Sequence, residues 1–418
     1  MKRREMLGAA ALLGAAAPRI VRAAAPLPDT TLFEREPERY WSRIRKEQFF
    51  LPEWRVFLNN GSLGVTPKPV VAAMAEYMER SAGLLMDEYP RWGYETLDEH
   101  RGEMAAFLGC KKEELAFMHN ATEALSTIAG GLDLRPGDEV VLTNQEHPSG
   151  RSPWLMKQAR YGISVREVPI PLPPKSPEQL ADVMISAIGP RTRVLAFSGI
   201  LSATGIVMPV RQICDTARAK GVITVVDGAH MNGQIPVKLS DLGCDFYAGS
   251  PHKWMFAPAG CGILYVREEM QDRLWPNTVT GNWDNAKLQA ARFMMVGTNN
   301  RAIFEGMIAG LRFFKQIGEE RIYSRIHQLA QSARAKAARL PYLELLTPDD
   351  DRMYGALVTF RLPKEADLTA LWKTCKEKRI WTIQSPQLRL STHIHTRPQD
   401  LDVFFDVLES TVGRQGRA

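Results

Sequence analysis

Between residues 114 and 266, short apolar or β-branched runs alternate with longer stretches whose apolar positions recur at helical spacing, the pattern of strands joined by crossover helices. The runs predict strands over 115–118, 139–143, 164–169, 193–198, 223–227, 246–250 and 260–266. The stretches between several of them predict helices over 122–131, 153–161, 177–188 and 210–220. Such an order favours a mostly parallel sheet covered on both faces, with ligands collecting at its carboxyl edge. Beyond residue 300 the pattern changes to long helices over 301–318 and 321–340, then to an alternating βαβ-like tail. Residues 32–57 have helical spacing but no core of their own. The chain therefore divides into a segment 26–60 expected to pack on the small domain, a large domain 61–300 and a small α/β C-terminal domain 301–418.

The first 25 residues stand apart. Lys2, Arg3 and Arg4 precede a small apolar run from Met6 to Ala17, and Ala23-Ala24-Ala25 resembles a cleavage site. The Arg3-Arg4-Glu5-Met6-Leu7 order and the weak, Ala/Gly-rich apolar run point to a twin-arginine-type export signal and a periplasmic or exported protein. Five basic side chains against Glu5 give this segment +4 of the formal net charge of +6. The remainder carries no Lys/Arg block, so nucleic-acid binding is not expected. No stretch approaches the roughly 20 apolar residues of a membrane span, so no stable membrane insertion is expected. The five cysteines, 110, 214, 244, 261 and 375, are odd in number and lack zinc-ligand spacing, which implies neither a disulfide framework nor a metal site.

Two motifs close apolar strands: Asp227-Gly228-Ala229-His230 and Ser250-Pro251-His252-Lys253. Their placement brings a carboxylate and an amine to one crevice, where partial desolvation beside other cations makes a lysine nucleophilic. Each residue alone has a bland reading, a strand-end cap for Asp227 and a surface side chain for Lys253; their conjunction outweighs it.

With these motifs the sequence resembles the class V aminotransferase family, a group of fold-type I pyridoxal-phosphate (PLP) enzymes that includes cysteine desulfurases, kynureninases and isopenicillin N epimerases. The resemblance extends in family order through Phe57-Leu58-Asn59-Asn60-Gly61-Ser62-Leu63-Gly64, Asn120-Ala121-Thr122-Glu123-Ala124, Glu146-His147, Gly297-Thr298 and Arg389-Leu390-Ser391. It implies Lys253 as the Schiff-base lysine, Asp227 as partner of the pyridine nitrogen, His147 stacked on the ring and His230 at the ring hydroxyl. Ala121 and Thr122, at a helix start suited to a phosphate, would form a phosphate cup with Ser250 and His252. Thr298 would reach the phosphate of a neighbouring subunit, which implies a homodimer. Arg389 would grip the substrate carboxylate as a planar fork, with Asn60 also on the substrate side.

The cofactor alone does not choose among epimerisation, transamination and elimination. The opening at Leu58 and the stretch Leu201-Ser202-Ala203-Thr204-Gly205 look closer to the isopenicillin N epimerase-like branch, and residues 378–388 hold no cysteine to act as a desulfurase nucleophile. The favoured expectation is therefore chemistry at the α-carbon of an amino acid or of an amino-acid moiety in a peptide-like metabolite. Desulfurase-like or other C–S or C–C lyase chemistry is the alternative, and an inactive PLP-fold binding module the alternative of another class. A nucleotide-binding oxidoreductase is disfavoured because no GxGxxG follows a strand. His119, His393 and His395 are read as packing or surface residues with a lesser place in the pocket, residues 388–395 as a strand of alternating sides, and Trp92, Trp154 and Trp254 as filling, with Trp254 at the pocket edge. For the leader, a fusion of residues 1–25 to a folded reporter is expected to deliver it outside the cytosol; cytosolic retention contradicts the export reading.

Overall fold

The computed structural model describes residues 25–84 and 97–413; the export segment, apart from Ala25, and Trp92 lie outside the described residues. Strands are numbered in chain order: β1 Val56–Phe57, β2 Leu115–Met118, β3 Glu139–Thr143, β4 Ser164–Val168, β5 Thr192–Ser198, β6 Ile223–Asp227, β7 Phe246–Gly249, β8 Gly262–Val266, β9 Glu344–Leu345, β10 Leu357–Arg361, β11 Ile380–Trp381 and β12 Gln387–Ser391. Seven of them form one sheet in the order β2-β8-β7-β6-β5-β3-β4, in which β8 alone runs against the rest. The predicted strands and crossover helices are all present, with ends moved by one or two residues except that the helix predicted from 153 begins at Pro148.

Every residue of β3 and β6 is buried, as strands covered on both faces must be. Alternate side chains feed two separate clusters, as the two-residue period requires. Val141, Leu195, Val226 and Tyr247 enter one cluster, while Val140, Leu142, Val194, Val225 and Phe246 enter the other. The second cluster is closed by helices Ala121–Gly131 and Pro148–Tyr161, with Trp154 at its centre. The first is closed by Asp98–Leu108, Pro177–Ser186, Val210–Ala219 and Ala302–Ile317.

A third cluster lies under the antiparallel sheet β12-β10-β9. Because β10 and β12 pair antiparallel, with Thr359 opposite Arg389, the tail is not a parallel βαβ unit. The expected boundary at residue 300 also moves. Helix Ala302–Ile317 and the start of Glu319–Ala338, through Ile322 and Ile326, bury in the first cluster, whereas Leu329, Ala330 and Ala333 bury in the third. A helical period marks an apolar stripe without marking its partner.

For the same reason the N-terminal segment departs from its expected place on the small domain. Helix Pro37–Gln48 sends Tyr40, Trp41 and Ile44 into the first cluster, and Phe49 follows them there against Phe256 and Phe313. Only Val56 and Leu58 join the third cluster, where β1 pairs with β11. The expected helical stretch is broken at Glu36, held out of the helical region by Pro37, and the chain is extended from Phe49. His393 and His395 likewise lie past the end of β12, in a turn.

Candidate active site

The carboxyl ends of β2, β3, β5, β6 and β7 converge on a crevice of about 170 Å³ lined by Asn120, Ala121, Thr122, His147, Ser198, Asp227, His230, Ser250, His252 and Lys253, with Ser62 and Ser202 at its rim. At β2, Asn120 caps helix Ala121–Gly131 by accepting the Glu123 N–H at 2.9 Å. The Ala121 N–H reaches Ser250 Oγ at 3.3 Å, and the Thr122 hydroxyl donates to Ser149 Oγ at 2.8 Å. Helix N-terminal amides beside serine and threonine hydroxyls make a cradle for a phosphate. Gly262 permits it: a Cβ there would meet the Asn120 backbone at 2.6 Å. His252 joins from the far side, with Nδ1 donating to the Cys261 carbonyl at 2.7 Å.

Lys253 sits in the short helix Pro251–Trp254 that follows β7. Its Nζ is 3.2 Å from His230 Nε2. The indole N–H of Trp254, a donor only, reaches His230 Nδ1 at 3.3 Å. That contact makes Nδ1 the acceptor and leaves the proton on Nε2, directed at the lysine amine. Burial drops the Lys253 ammonium to about 8, with Asp227 opposing the fall and Arg389 assisting it. Burial, followed by Lys253, also holds His230 well below the ordinary histidine range. His230 is thereby favoured as a neutral imidazole, and the Lys253 amine gives up its proton more readily than an ordinary lysine.

Asp227, 7% exposed at the end of β6, accepts the Ala229 N–H through Oδ1 at 2.9 Å. Burial raises its carboxyl, while Ala229, Lys253 and His147 pull it back. A buried carboxylate held in this state fits a protonated ring nitrogen. His147 caps helix Pro148–Tyr161 by accepting the Ser149 N–H through Nδ1 at 3.2 Å, and its exposed ring stands at the crevice mouth, where it can cover a planar ligand. Arg389, on β12 and 5% exposed, donates to the Ser202 carbonyl at 2.6 Å, to Ser202 Oγ at 3.2 Å and to Ser62 Oγ at 3.3 Å. Its Nε has no partner, and burial drops the guanidinium to about 10.

Asn60 and Trp254 fall differently from expectation. Asn60 is buried and both ends of its amide are engaged, Nδ2 donating to the Lys253 carbonyl at 2.7 Å and Oδ1 meeting His395 Nε2 at 3.1 Å. It positions the lysine and does not face a substrate. Trp254 is fully buried behind His230 and does not edge the pocket. His393 accompanies it, 3.1 Å from the Trp254 carbonyl and stacked on its ring. His119 pairs with Glu123 and packs on Phe304. Thr298 is exposed after Gly297, whose φ is 81°, and does not line the crevice of its own chain. The support from Asn60, His395 and Trp254 was missed in the sequence, since only tertiary contacts join them.

Carboxyl-edge crevice, phosphate cradle, buried aspartate and a buried lysine of lowered proton affinity together define a PLP enzyme of fold-type I. The chain belongs to the aminotransferase class-V family, which it matches over residues 56–384, and PLP is the cofactor these residues fit. It is 30% identical over 393 residues to isopenicillin N epimerase of Streptomyces clavuligerus, covering 89% of this chain and 98% of that protein. It is 32% identical over 391 residues to the isopenicillin N epimerase of Amycolatopsis lactamdurans, with 88% and 98% covered. It is also 32% identical over 318 residues to a probable cysteine desulfurase of Methanothermobacter thermautotrophicus, with 72% and 77% covered. Among solved structures, the apo cysteine desulfurase of Thermococcus onnurineus superposes with a TM-score of 0.74 at 25% identity, over 94% of this chain and all of that one.

The lowered Lys253 value yields a stability test. A lysine whose folded value of about 8 lies below its ordinary 10.5 contributes fully above 10.5 and loses that contribution as pH falls through 8. Cofactor-free Lys253→Met is therefore expected to melt about 1–3 °C above wild type at pH 7, with the difference narrowing as pH rises toward 10. Thermal unfolding across that range measures it; a lower Tm at pH 7 contradicts it.

Proposed function

We propose that this protein is a PLP-dependent enzyme that acts at the α-carbon of an amino acid or of an amino-acid moiety in a peptide-like metabolite, in the manner of the isopenicillin N epimerase-like branch. The observation that carries the reading is Arg389: a buried guanidinium on β12, bonded to the crevice-lining Ser62 and Ser202, that no carboxylate pairs with among the described residues. A buried cation left without a counter-ion is costly, and a substrate carboxylate supplies one in bidentate geometry. The near full-length match to two proteins named isopenicillin N epimerase supports the branch.

Bound PLP withdraws electrons from the α-carbon of an amine joined to it. Asp227 would hold a proton at the ring nitrogen, His147 would cover one ring face, and the Ala121 and Thr122 amides with Ser250 and His252 would anchor the phosphate. Lys253 Nζ, whose proton affinity burial lowers to about 8, would be the base that takes the α-proton. Epimerisation would need a second acid to deliver a proton to the opposite face, whereas transfer or loss of the amino group would need Lys253 alone. Desulfuration by an enzyme thiolate has no support in the crevice. All five cysteines lie outside its lining, and burial pushes Cys375, in helix Leu368–Glu377, up to about 11.

Export through residues 1–25 and a homodimer in which Thr298 serves the neighbouring site belong to the same proposal. Among the described residues no helix is long and apolar enough to cross a membrane. Twin-arginine signals carry folded proteins, which suits an enzyme whose cofactor needs a formed site.

The test is incubation of the holoenzyme in D2O with amino acids and with amino-terminal glutamyl or aminoadipyl peptides, followed by NMR and mass spectrometry. Deuterium at the α-carbon, with Lys253→Ala reduced at least 10²-fold as expected for loss of a catalytic base, is the predicted result. Mixed stereochemistry assigns epimerisation and loss of the amino group assigns transfer or deamination. No exchange in wild type overturns the reading.

A further inference from the structure

Glu146 is a carboxyl to which the reading above gives no role. It lies one residue before His147, partly buried, between the ends of β3 and β5. Oε1 accepts from the Thr143 hydroxyl and, at 3.2 Å, from the Ser198 N–H, while Oε2 meets Ser198 Oγ at 2.5 Å. It shares its surroundings with Asp227: a Cβ added to Gly150 would lie 3.5 Å from Asp227 Oδ2 and 3.5 Å from Glu146 Oε2. Asp227 in the crevice lining thus has a second carboxyl nearby, behind the lining, that does not itself address the cofactor.

We infer that Glu146 is a positioning residue whose charge governs the proton that Asp227 shares with the cofactor's ring nitrogen. The inference rests on the PLP reading and deepens it. The cradle is suited to a group that changes charge. Hydroxyls both donate and accept, so Thr143 and Ser198 satisfy an ionised Glu146 as donors, and either accepts the proton of a neutral one. An arginine or lysine partner would have locked the charge in place, and no cation forms an ion pair with Glu146 among the described residues. Burial, opposed by Ser198 and Thr143 and assisted by Asp227, pushes the carboxyl up to about 7.

When Glu146 is neutral, Asp227 alone faces the ring nitrogen. When Glu146 ionises, a second negative charge appears in a low-dielectric site and raises the proton affinity of Asp227 and of the nitrogen together. The two carboxyls then titrate as a pair. The other titratable groups near this space are His147 on the same turn, His230 after β6, His252 and Lys253 after β7, Arg389 on β12 and Tyr247 in β7. Burial holds the Tyr247 phenol well above its ordinary range and so neutral, and the rest are cationic when charged. Glu146 is the group that adds negative charge beside Asp227.

The test reads the nitrogen rather than turnover: the ¹⁵N chemical shift of ring-labelled PLP bound to the holoenzyme, followed from pH 5 to 9. Wild type is expected to show a titration step centred at or below about pH 7, and Glu146→Gln, which keeps the size and polarity of the side chain, is expected to lack it. Ser198→Ala removes a hydrogen bond that favours the ionised form and is expected to move the step upward. A step absent from wild type, or unchanged in Glu146→Gln, overturns the inference while leaving the PLP reading intact. Failure of wild type to hold labelled PLP overturns both. If Glu146→Gln alone loses the cofactor, Ser198→Ala decides, with an upward move in support and an unmoved step against.

Discussion

The site depends on polar groups buried at the carboxyl edge of the sheet without their full complement of partners. Arg389 has no carboxylate among the described residues, Asp227 has one backbone donor and nearby but unbonded cations, and Lys253 is an amine whose charged form burial disfavours beside a neutral imidazole. Each arrangement lowers the stability of the empty protein. Each also prepares an interaction for a ligand of matching charge: a carboxylate, a protonated ring nitrogen and an aldehyde. Ligands that bind only the folded chain return the lost stability by mass action.

Such a crevice persists because rigid elements over-determine it. The buried runs of β3 and β6 fix the strand ends, and two apolar clusters clamp the sheet from either side. Behind Lys253, Asn60 and His395 connect its carbonyl to the turn after β12, and Arg45 of the N-terminal helix donates to the His395 carbonyl. Three distant parts of the chain thus hold one lysine. Gly64 completes the seat, since a Cβ there would meet the Lys253 carbonyl oxygen at 2.3 Å. Orientation held by this kind of support is what catalysis requires of a scaffold.

Much of this was legible from local pattern. Buried parallel strands read as apolar runs, so all seven strands of the large sheet were found, and the residues that end them, Asp227 and the stretch from Ser250 to Lys253, lie in the crevice as expected. What escaped was contact across the sequence. Nothing near Asn60 marks it as a support for residue 253, and nothing near Glu146 marks it as a neighbour of Asp227. The placement of helices Pro37–Gln48 and Ala302–Ile317 escaped for a related reason, because an amphipathic stripe states that a face is buried and leaves the partner open.

The central claim is that Lys253 is the amine that holds PLP. Borohydride reduction of the holoenzyme, followed by proteolysis and mass spectrometry, tests it most directly. The account predicts a phosphopyridoxyl group on the peptide containing Lys253 and its loss in Lys253→Met. A label on another lysine, or labelling of the variant equal to that of wild type, would contradict the account.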